Sequence, residues 1–182
     1  MTRRRQFTLE NFISSARKII QEQGPSKLTF DAVGKDLGCS RGAITHNFPT
    51  KRDLVVAIVD DMFMKTRELV EQEIEKAKDV PFPVLTGMIL AIADESKKMN
   101  DFSQGIFQAA VAEEPPITEP FTRFYRDYWA RIAEEAKDPI RALSLWTAIE
   151  GLILMDSYPE PAYSEKQRRE LVTYLLKEAS KD

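Results

Sequence analysis

Residues suited to covalent or metal chemistry are scarce in this chain of 182 residues, which contains one histidine, His46, and one cysteine, Cys39. A single thiol cannot form an internal disulfide or a thiolate zinc cluster, and a single imidazole excludes a metal site built on two histidines. The chain around His46 offers no Ser/His/Asp arrangement and no Glu-x-x-His pair, so catalysis there is not favoured. Cys39 lies in a predicted turn, where a small side chain suffices, with a redox sensor as the alternative. The sequence therefore predicts a protein that is not an enzyme and holds no metal and no cofactor.

Side chains suited to contact with nucleic acid are grouped in one stretch, from Leu28 to Leu54. This stretch contains arginine, threonine, histidine and asparagine side chains, which can reach base edges and phosphates in a major groove. Gly42 has no side chain, so the backbone can approach DNA closely there. Lys51 lies in the first turn of a predicted helix, where its charge and the positive helix terminus would both face a phosphate.

The charge of the chain is divided unevenly. Residues 1–53 carry a net charge of +5 and the remainder carries −8, which together give −3. A basic head on an acidic body predicts that the head meets a polyanion, although solvated side chains distributed by chance give the same pattern. The run Arg3, Arg4 and Arg5 is interpreted either as an arm along the minor groove or as a disordered charged terminus.

Helical periodicity bounded by capping residues and prolines runs along the chain and positions these residues. Thr8, Thr29 and Ser40 are predicted N-caps of three helices, and Thr50 with Asp53 opens a long fourth helix that reaches about residue 77. Further helices are predicted near 81–94, 100–113, 118–137, 139–157 and 164–180. With no sustained strand alternation, the fold class is all-α with about nine helices.

The second and third predicted helices are short and are joined by a turn at Gly38, which is the layout of a helix-turn-helix. Residues 8–54 resemble the DNA-binding head of TetR-family transcriptional regulators. The residues that carry this resemblance are Thr29, Gly38-Cys39-Ser40-Arg41-Gly42, Phe48 and Thr50-Lys51. Thr45 stands where the family usually has tyrosine, which leaves individual base contacts and the operator sequence open. Gly34 stands where alanine is usual.

The resemblance implies a helix-turn-helix DNA-binding domain at residues 1–53 and a ligand-binding and dimerisation domain at 54–182. It implies a ligand-responsive regulator, most simply a repressor, that binds double-stranded operator DNA as a homodimer at two half-sites about 34–36 Å apart. A small, mostly apolar effector would release it. A transcriptional activator, a protein-interaction adaptor and a helical-bundle enzyme are the alternatives. The expected DNA-binding residues are Thr29, Ser40, Arg41, Gly42, Ala43, Thr45, His46, Asn47 and Lys51.

Large soft side chains are frequent between residues 80 and 160, where the resemblance implies an effector cavity and ordinary core packing is the alternative. The candidate ligand-binding residues are Met88, Phe102, Phe107, Gln108, Phe124, Tyr125, Tyr128, Trp129, Trp146 and Glu150. The last two predicted helices carry more apolar surface than one face needs, and the resemblance implies that they pair in a dimer. The candidate dimerisation residues are Leu143, Ile149, Leu152, Ile153, Leu171, Tyr174 and Leu175.

The longest apolar stretches, Met88 to Ala93 and Leu152 to Met155, are too short to cross a membrane. Residues 1–5 lead into no apolar signal core. The sequence therefore predicts a cytoplasmic protein with no membrane partner.

Overall fold

The structure of the protein, a computed structural model, describes residues 7–93, 97–156, 158 and 160–181, with the backbone alone for residues 97–101. The predicted arm Arg3, Arg4 and Arg5 lies outside the described residues. Within the described part, the chain forms α-helices and one 3-10 turn, with no strand, which confirms the all-α class. The helices are α1 (Leu9–Gln23), α2 (Phe30–Leu37), α3 (Arg41–Thr45), α4 (Lys51–Lys76), α5 (Pro83–Ala93), α6 (Lys97–Val111), α7 (Glu119–Glu135), α8 (Pro139–Asp156) and α9 (Glu165–Ala179).

The predicted caps begin the helices as expected. The hydroxyls of Thr8, Thr29 and Ser40 each accept a hydrogen bond from the backbone N–H three residues on. At the start of α4, the Thr50 N–H donates to Asp53 Oδ2 at 2.8 Å, and the Asp53 N–H donates to Thr50 Oγ1 at 3.2 Å. Each cap satisfies amide groups that have no partner inside the helix, which defines where the helix starts.

The chain divides into two compact units, of which the first contains Met1–Met62 and Asp101–Pro120. Its core includes Phe12 and Ile19 of α1, Ile44 of α3 and Ile58 of α4, all at most 2% exposed, together with Ile106 of α6. Burial of such side chains contributes about 1.5–3 kcal/mol each. The predicted domain boundary between residues 53 and 54 lies within α4, and this unit extends beyond it.

The second unit contains Phe63–Asn100 and Phe121–Asp182. In it α5 packs against α8 and α9, and α8 packs against α9. Gly87 of α5 lies so close to α4 that a Cβ atom there would stand 2.6 Å from the Ile74 backbone nitrogen. The ring of Phe63 on α4 stacks on Phe124 of α7 with centroids 4.6 Å apart.

The apolar face of α4 changes along the helix. In the sequence Leu54, Ile58, Met62, Leu69 and Ile74 recur on one side of the predicted helix. The prediction is wrong for Leu69, which is 54% exposed. Val70, which is 1% exposed, takes the buried position. Over a helix of 26 residues the apolar stripe drifts around the axis, so a single repeat does not describe its whole length. Among the described residues, no helix is long and apolar enough to cross a membrane.

Candidate nucleic-acid interface

The turn between α2 and α3 determines the direction of α3. Gly38 ends α2 with φ +67°, a left-handed conformation that glycine adopts at little cost. The Cys39 N–H donates to the Gly34 carbonyl at 2.9 Å, which closes the turn. Ile44 is fully buried and Phe48 is 5% exposed. These two side chains anchor α3 and the turn after it to the core of the first unit, and the remaining side chains of α3 are open to solvent to different degrees.

The solvent face of α3 carries Arg41, Gly42 and His46, which are exposed, with Ala43 and Thr45 half-buried. The sequence predicts that Pro49 ends this helix, but α3 already ends at Thr45. His46 and Asn47 lie in the turn that follows. His46 keeps helical backbone angles, φ −66° and ψ −33°. The predicted contact residues of this stretch are therefore exposed or half-buried, and two of them lie beyond the helix.

Several of these polar side chains bond to the backbone of their own segment. The Asn47 side-chain amide donates to the Ala43 carbonyl at 2.9 Å, and the Thr45 hydroxyl donates to the Gly42 carbonyl at 3.4 Å. The capping hydroxyls of Thr29 and Ser40 accept from amide N–H groups, which leaves each hydroxyl proton able to donate to a phosphate oxygen. The Asn47 amide keeps a second N–H and its oxygen for other partners, whereas the Thr45 hydroxyl must rotate before its proton can reach a phosphate.

Arg41 lies at the first position of α3 with 65% of its side chain exposed. Its guanidinium is 5.6 Å from the ring centroid of Phe30, and Nη1 is 3.4 Å from Asp31 Oδ1. Exposed pairs of this length contribute little, about 0–1 kcal/mol. Arg41 is thus held near the face of α3 by weak contacts that a phosphate or a base edge can replace.

Lys51 and Arg52 lie in the first turn of α4 and face the segment that follows α6. Lys51 Nζ is 3.2 Å from Glu113 Oε1, and the Arg52 guanidinium donates to the Pro115 carbonyl. This pairing is not predictable from local spacing, because Lys51 and Glu113 lie 62 positions apart in the chain.

Two other basic residues of the first unit stabilise its fold. Arg17 Nη1 is 3.0 Å from Asp61 Oδ2, and Lys18 Nζ is 2.6 Å from Asp36 Oδ1. Hydrogen bonds from Lys18 and then from Ser15 lower the pKa of the Asp36 carboxyl. Part of the positive charge of the head therefore holds α1 to α2 and to α4.

Cys39 is half-buried in the turn before α3. Burial raises the pKa of its thiol. A thiol of raised pKa stays protonated at neutral pH and reacts slowly with oxidants. The environment of Cys39 favours its interpretation as a small turn residue.

The candidate ligand-binding residues are divided between the units. Phe102, Phe107 and Gln108 lie on α6 in the first unit, where Phe102 is 4% exposed and Phe107 is 44% exposed. The Arg17 guanidinium lies 4.8 Å from the ring centroid of Phe102. The seven residues in the second unit are Met88, Phe124, Tyr125, Tyr128, Trp129, Trp146 and Glu150.

Four of those seven form an aromatic cluster with one carboxylate on α7 and α8. The Trp129 and Trp146 rings stack with centroids 6.0 Å apart, and Tyr125 is 5.9 Å from Trp146. Trp146 Nε1–H donates to Glu150 Oε1 at 3.0 Å, and the Tyr125 hydroxyl donates to Oε2 at 3.4 Å. We call Tyr125, Trp129, Trp146 and Glu150 the α7–α8 aromatic cluster. Met88, Phe124 and Tyr128 are each at most 3% exposed and pack in the core.

The candidate dimerisation residues also divide by burial. Ile149, Leu152 and Leu175 are at most 3% exposed and pack inside the chain's own core, and Ile153 is half-buried. Leu143, Leu171 and Tyr174 are 40%, 38% and 57% exposed. Three further apolar residues of α8, outside the predicted dimerisation set, are exposed as well: Ile140 at 73%, Leu154 at 53% and Met155 at 50%.

Two family profiles match the chain and together cover most of the described residues. Residues 12–58 match the profile described as "Bacterial regulatory proteins, tetR family". Residues 84–180 match "Tetracyclin repressor-like, C-terminal domain", which by itself spans more than half of the chain. The chain belongs to the TetR family. It is a DNA-binding transcriptional regulator with a helix-turn-helix head and a helical body, as the resemblance of residues 8–54 predicted.

Solved structures of low identity share the TetR-family fold over nearly the whole chain. A TetR-family transcriptional regulator from Rhodococcus sp. superposes with a TM-score of 0.74 at 18% identity, covering 95% of this chain and 98% of the other. A transcriptional regulator from Streptomyces coelicolor A3(2) gives 0.72 at 15%, covering 94% and 98%. The multidrug binding protein EbrR, in complex with imidazole, gives 0.72 at 19%, covering 92% and 93%. No match was found among curated proteins.

Proposed function

We propose that this TetR-family regulator is a repressor that binds a pseudo-palindromic operator as a homodimer and leaves it when a small effector binds the body. The observation that carries the DNA-binding surface is the anchoring of α3. Ile44 and Phe48 are buried and hold this segment in place, whereas Arg41 and His46 are exposed to solvent. A short helix presented in this way can enter a major groove, with Lys51 on a flanking phosphate.

The DNA contact is tested with duplexes that the protein itself selects from a random-sequence library. Arg41→Ala and Lys51→Ala are each expected to weaken binding by about 5- to 100-fold, the usual range for loss of a base or phosphate contact. Lys166→Ala is the matched control, because Lys166 carries the same charge on α9 and is 80% exposed. Helical circular dichroism should be unchanged in all three. Unaltered affinity of both head variants contradicts the proposed surface.

The homodimer is supported by the exposed apolar residues of α8 and α9. Leu143, Leu171 and Tyr174 leave between 38% and 57% of their surface in water, and exposed apolar patches commonly mark interfaces. A twofold dimer would present two copies of α3 to successive major grooves.

The effector is proposed to be an aromatic or mostly apolar small molecule. EbrR, which shares this fold at 18–19% identity across its structures, forms complexes with imidazole, malachite green and ethidium. In this chain the α7–α8 aromatic cluster places three aromatic rings beside the Glu150 carboxylate, a combination that suits aromatic and cationic ligands. Tyr125 is 40% exposed, whereas Trp146 is 5% exposed, so a ligand that reaches Trp146 must displace part of its packing. No tryptophan lies in residues 1–53, so quenching of Trp129 and Trp146 reports on the body alone.

Effector binding is tested by tryptophan fluorescence with malachite green as the first probe, followed by release of the selected duplex. Because linkage is reciprocal, a compound that weakens DNA binding must itself bind more weakly to the DNA complex by the same factor. A compound that quenches both tryptophans yet leaves DNA affinity unchanged is not an effector. Salt-insensitive binding to duplex DNA would favour a protein-interaction role for the head.

A further inference from the structure

Lys51 is the expected phosphate contact at the start of α4, and in the free protein it faces a carboxylate. Its Nζ lies 3.2 Å from Glu113 Oε1, just beyond the end of α6. The Glu113 side chain is 15% exposed, whereas the Lys51 side chain is 45% exposed. The carboxylate is therefore enclosed at its position, and the ammonium group remains open to solvent and to an incoming anion.

The segment that carries Glu113 is anchored within the first unit. Ile117 is 3% exposed, and its N–H donates to the Ala110 carbonyl at 3.0 Å. The Arg52 guanidinium donates to the Pro115 carbonyl, so two consecutive cations of α4 face the same turn. This anchoring keeps the Glu113 carboxylate beside Lys51 rather than in bulk water.

A carboxylate and a phosphate oxygen satisfy an ammonium group in the same way. Each accepts a charge-assisted hydrogen bond, and each prefers a donor about 2.7–3.2 Å away. One ammonium has three protons but one unit of charge, so a phosphate that approaches Lys51 meets a cation already neutralised by Glu113. The repulsion between the two anions opposes the contact further.

We propose that Glu113 is an internal competitor of the operator phosphate for Lys51, and that displacement of this carboxylate accompanies DNA binding. The proposal rests on the proposed DNA-binding function and adds to it a residue that lowers the affinity of the head. Any movement of the turn after α6 then changes the strength of the ion pair between Glu113 and Lys51. Glu113 therefore links the position of that turn to the affinity for DNA.

The test compares Glu113→Gln with Glu114→Gln in binding to the selected duplex and to a random duplex of roughly 30 base pairs, long enough for two half-sites with flanks. The two variants remove the same charge from adjacent positions, and Glu114 is exposed. E113Q is expected to bind about two- to fivefold more tightly than E114Q, the size expected for one partly exposed ion pair. The gain should occur on both duplexes, because a phosphate contact is independent of sequence.

Two further variants separate competition from other effects. Glu113→Asp keeps the charge but shortens the reach, so it should also bind more tightly than wild type. In a Lys51→Ala background, E113Q should give no gain over E114Q. Equal affinity of E113Q and E114Q, or weaker binding of E113Q in a folded protein, overturns the proposal. If wild type and all variants fail to bind either duplex, the proposed DNA-binding function itself is wrong.

Discussion

A buried carboxylate, Asp61, is paired with Arg17 across α1 and α4, and its side chain is only 4% exposed. Removing Arg17 takes a cation away from this desolvated carboxylate, which is unfavourable. We predict that Arg17→Ala lowers the free energy of unfolding by about 2–4 kcal/mol in urea titrations. In an Asp61→Asn background the same substitution should cost clearly less. An equal loss in both backgrounds would mean that Arg17 acts through its contact with Phe102 instead.

Tyr128 is fully buried, and burial followed by its hydrogen bond to Glu71 raises the pKa of its hydroxyl to about 12. In the unfolded chain a tyrosine ionises near 10, so the unfolded state releases its proton first and stability falls as the pH rises from about 10 to 12. We predict that, in urea titrations, the free energy of unfolding of Tyr128→Phe falls by about 1–2 kcal/mol less than that of wild type over this pH range. A Tyr128→Phe protein with the same loss between these pH values as wild type would contradict the assignment.

At the residue scale, inward and capping positions follow from sequence, whereas distant ion pairs do not. The helical spacing of the sequence predicts that Ile44 and Phe48 face inward, and the structure confirms both, at 0% and 5% exposed. The pairing of Lys51 with Glu113 depends on how the segment after α6 packs. The sequence predicts only a DNA phosphate as the partner of Lys51. The sum of charges along the chain does not show which acidic residue lies beside which basic residue in the fold.

At the scale of elements, two glycines flank the start of α3 and have opposite roles. Gly38 has φ +67°, whereas a Cβ atom at Gly42 would meet only Ser40 Oγ at 3.8 Å. We predict that Gly38→Ala costs about 1–2 kcal/mol of stability, because alanine is strained in the left-handed region. Gly42→Ala should leave stability unchanged or raised by up to about 1 kcal/mol through helix propensity.

These two variants should differ in DNA binding as well. Gly42→Ala places a methyl group on the exposed face of α3, and we expect weaker binding to the selected duplex in a fully folded protein. Thermal unfolding followed by circular dichroism, together with fluorescence anisotropy on the same samples, measures both properties. Undiminished affinity of Gly42→Ala would show that the backbone does not approach DNA at this position.

The order and type of the helices were predictable because caps, prolines and apolar spacing agree over long segments. The end of α3 was not, since a helix of five residues has too few positions for periodicity to define its limit. The stop at Thr45 instead reflects the Asn47 side chain, which bonds to the Ala43 carbonyl.

At the scale of the whole molecule, the exposed residues of α9 test the homodimer. Tyr174→Asp introduces a charge at a site that is 57% exposed in the protomer. We predict that this variant has half the mass of wild type in light scattering, because a desolvated charge at an interface is unfavourable. Thr173→Asp, with the same charge change at the adjacent exposed position, should remain a dimer. A monomeric wild type, or two dimeric variants, would contradict the proposed interface.

Charge and resemblance predict a domain boundary between residues 53 and 54, whereas packing in the structure divides the chain between residues 62 and 63 and again on either side of residues 101–120. The residues 101–120 join the first unit, which no local pattern indicates because burial of Phe102 and Ile106 is decided by distant partners. For the same reason the ten candidate ligand residues could be chosen by type but not assigned to core or surface. Tyr128 and Tyr125, three residues apart, are 0% and 40% exposed.

The central claim is that a dimer of this chain binds DNA phosphates through its two helix-turn-helix heads. The salt dependence of DNA binding tests this claim most directly. Affinity for the selected duplex should fall steeply with salt, and Lys51→Ala should reduce the slope of log K against log salt by about one to two, since each dimer loses two phosphate contacts. Lys166→Ala should leave the slope unchanged. A wild-type affinity that does not depend on salt, or an identical slope for Lys51→Ala, would contradict the account.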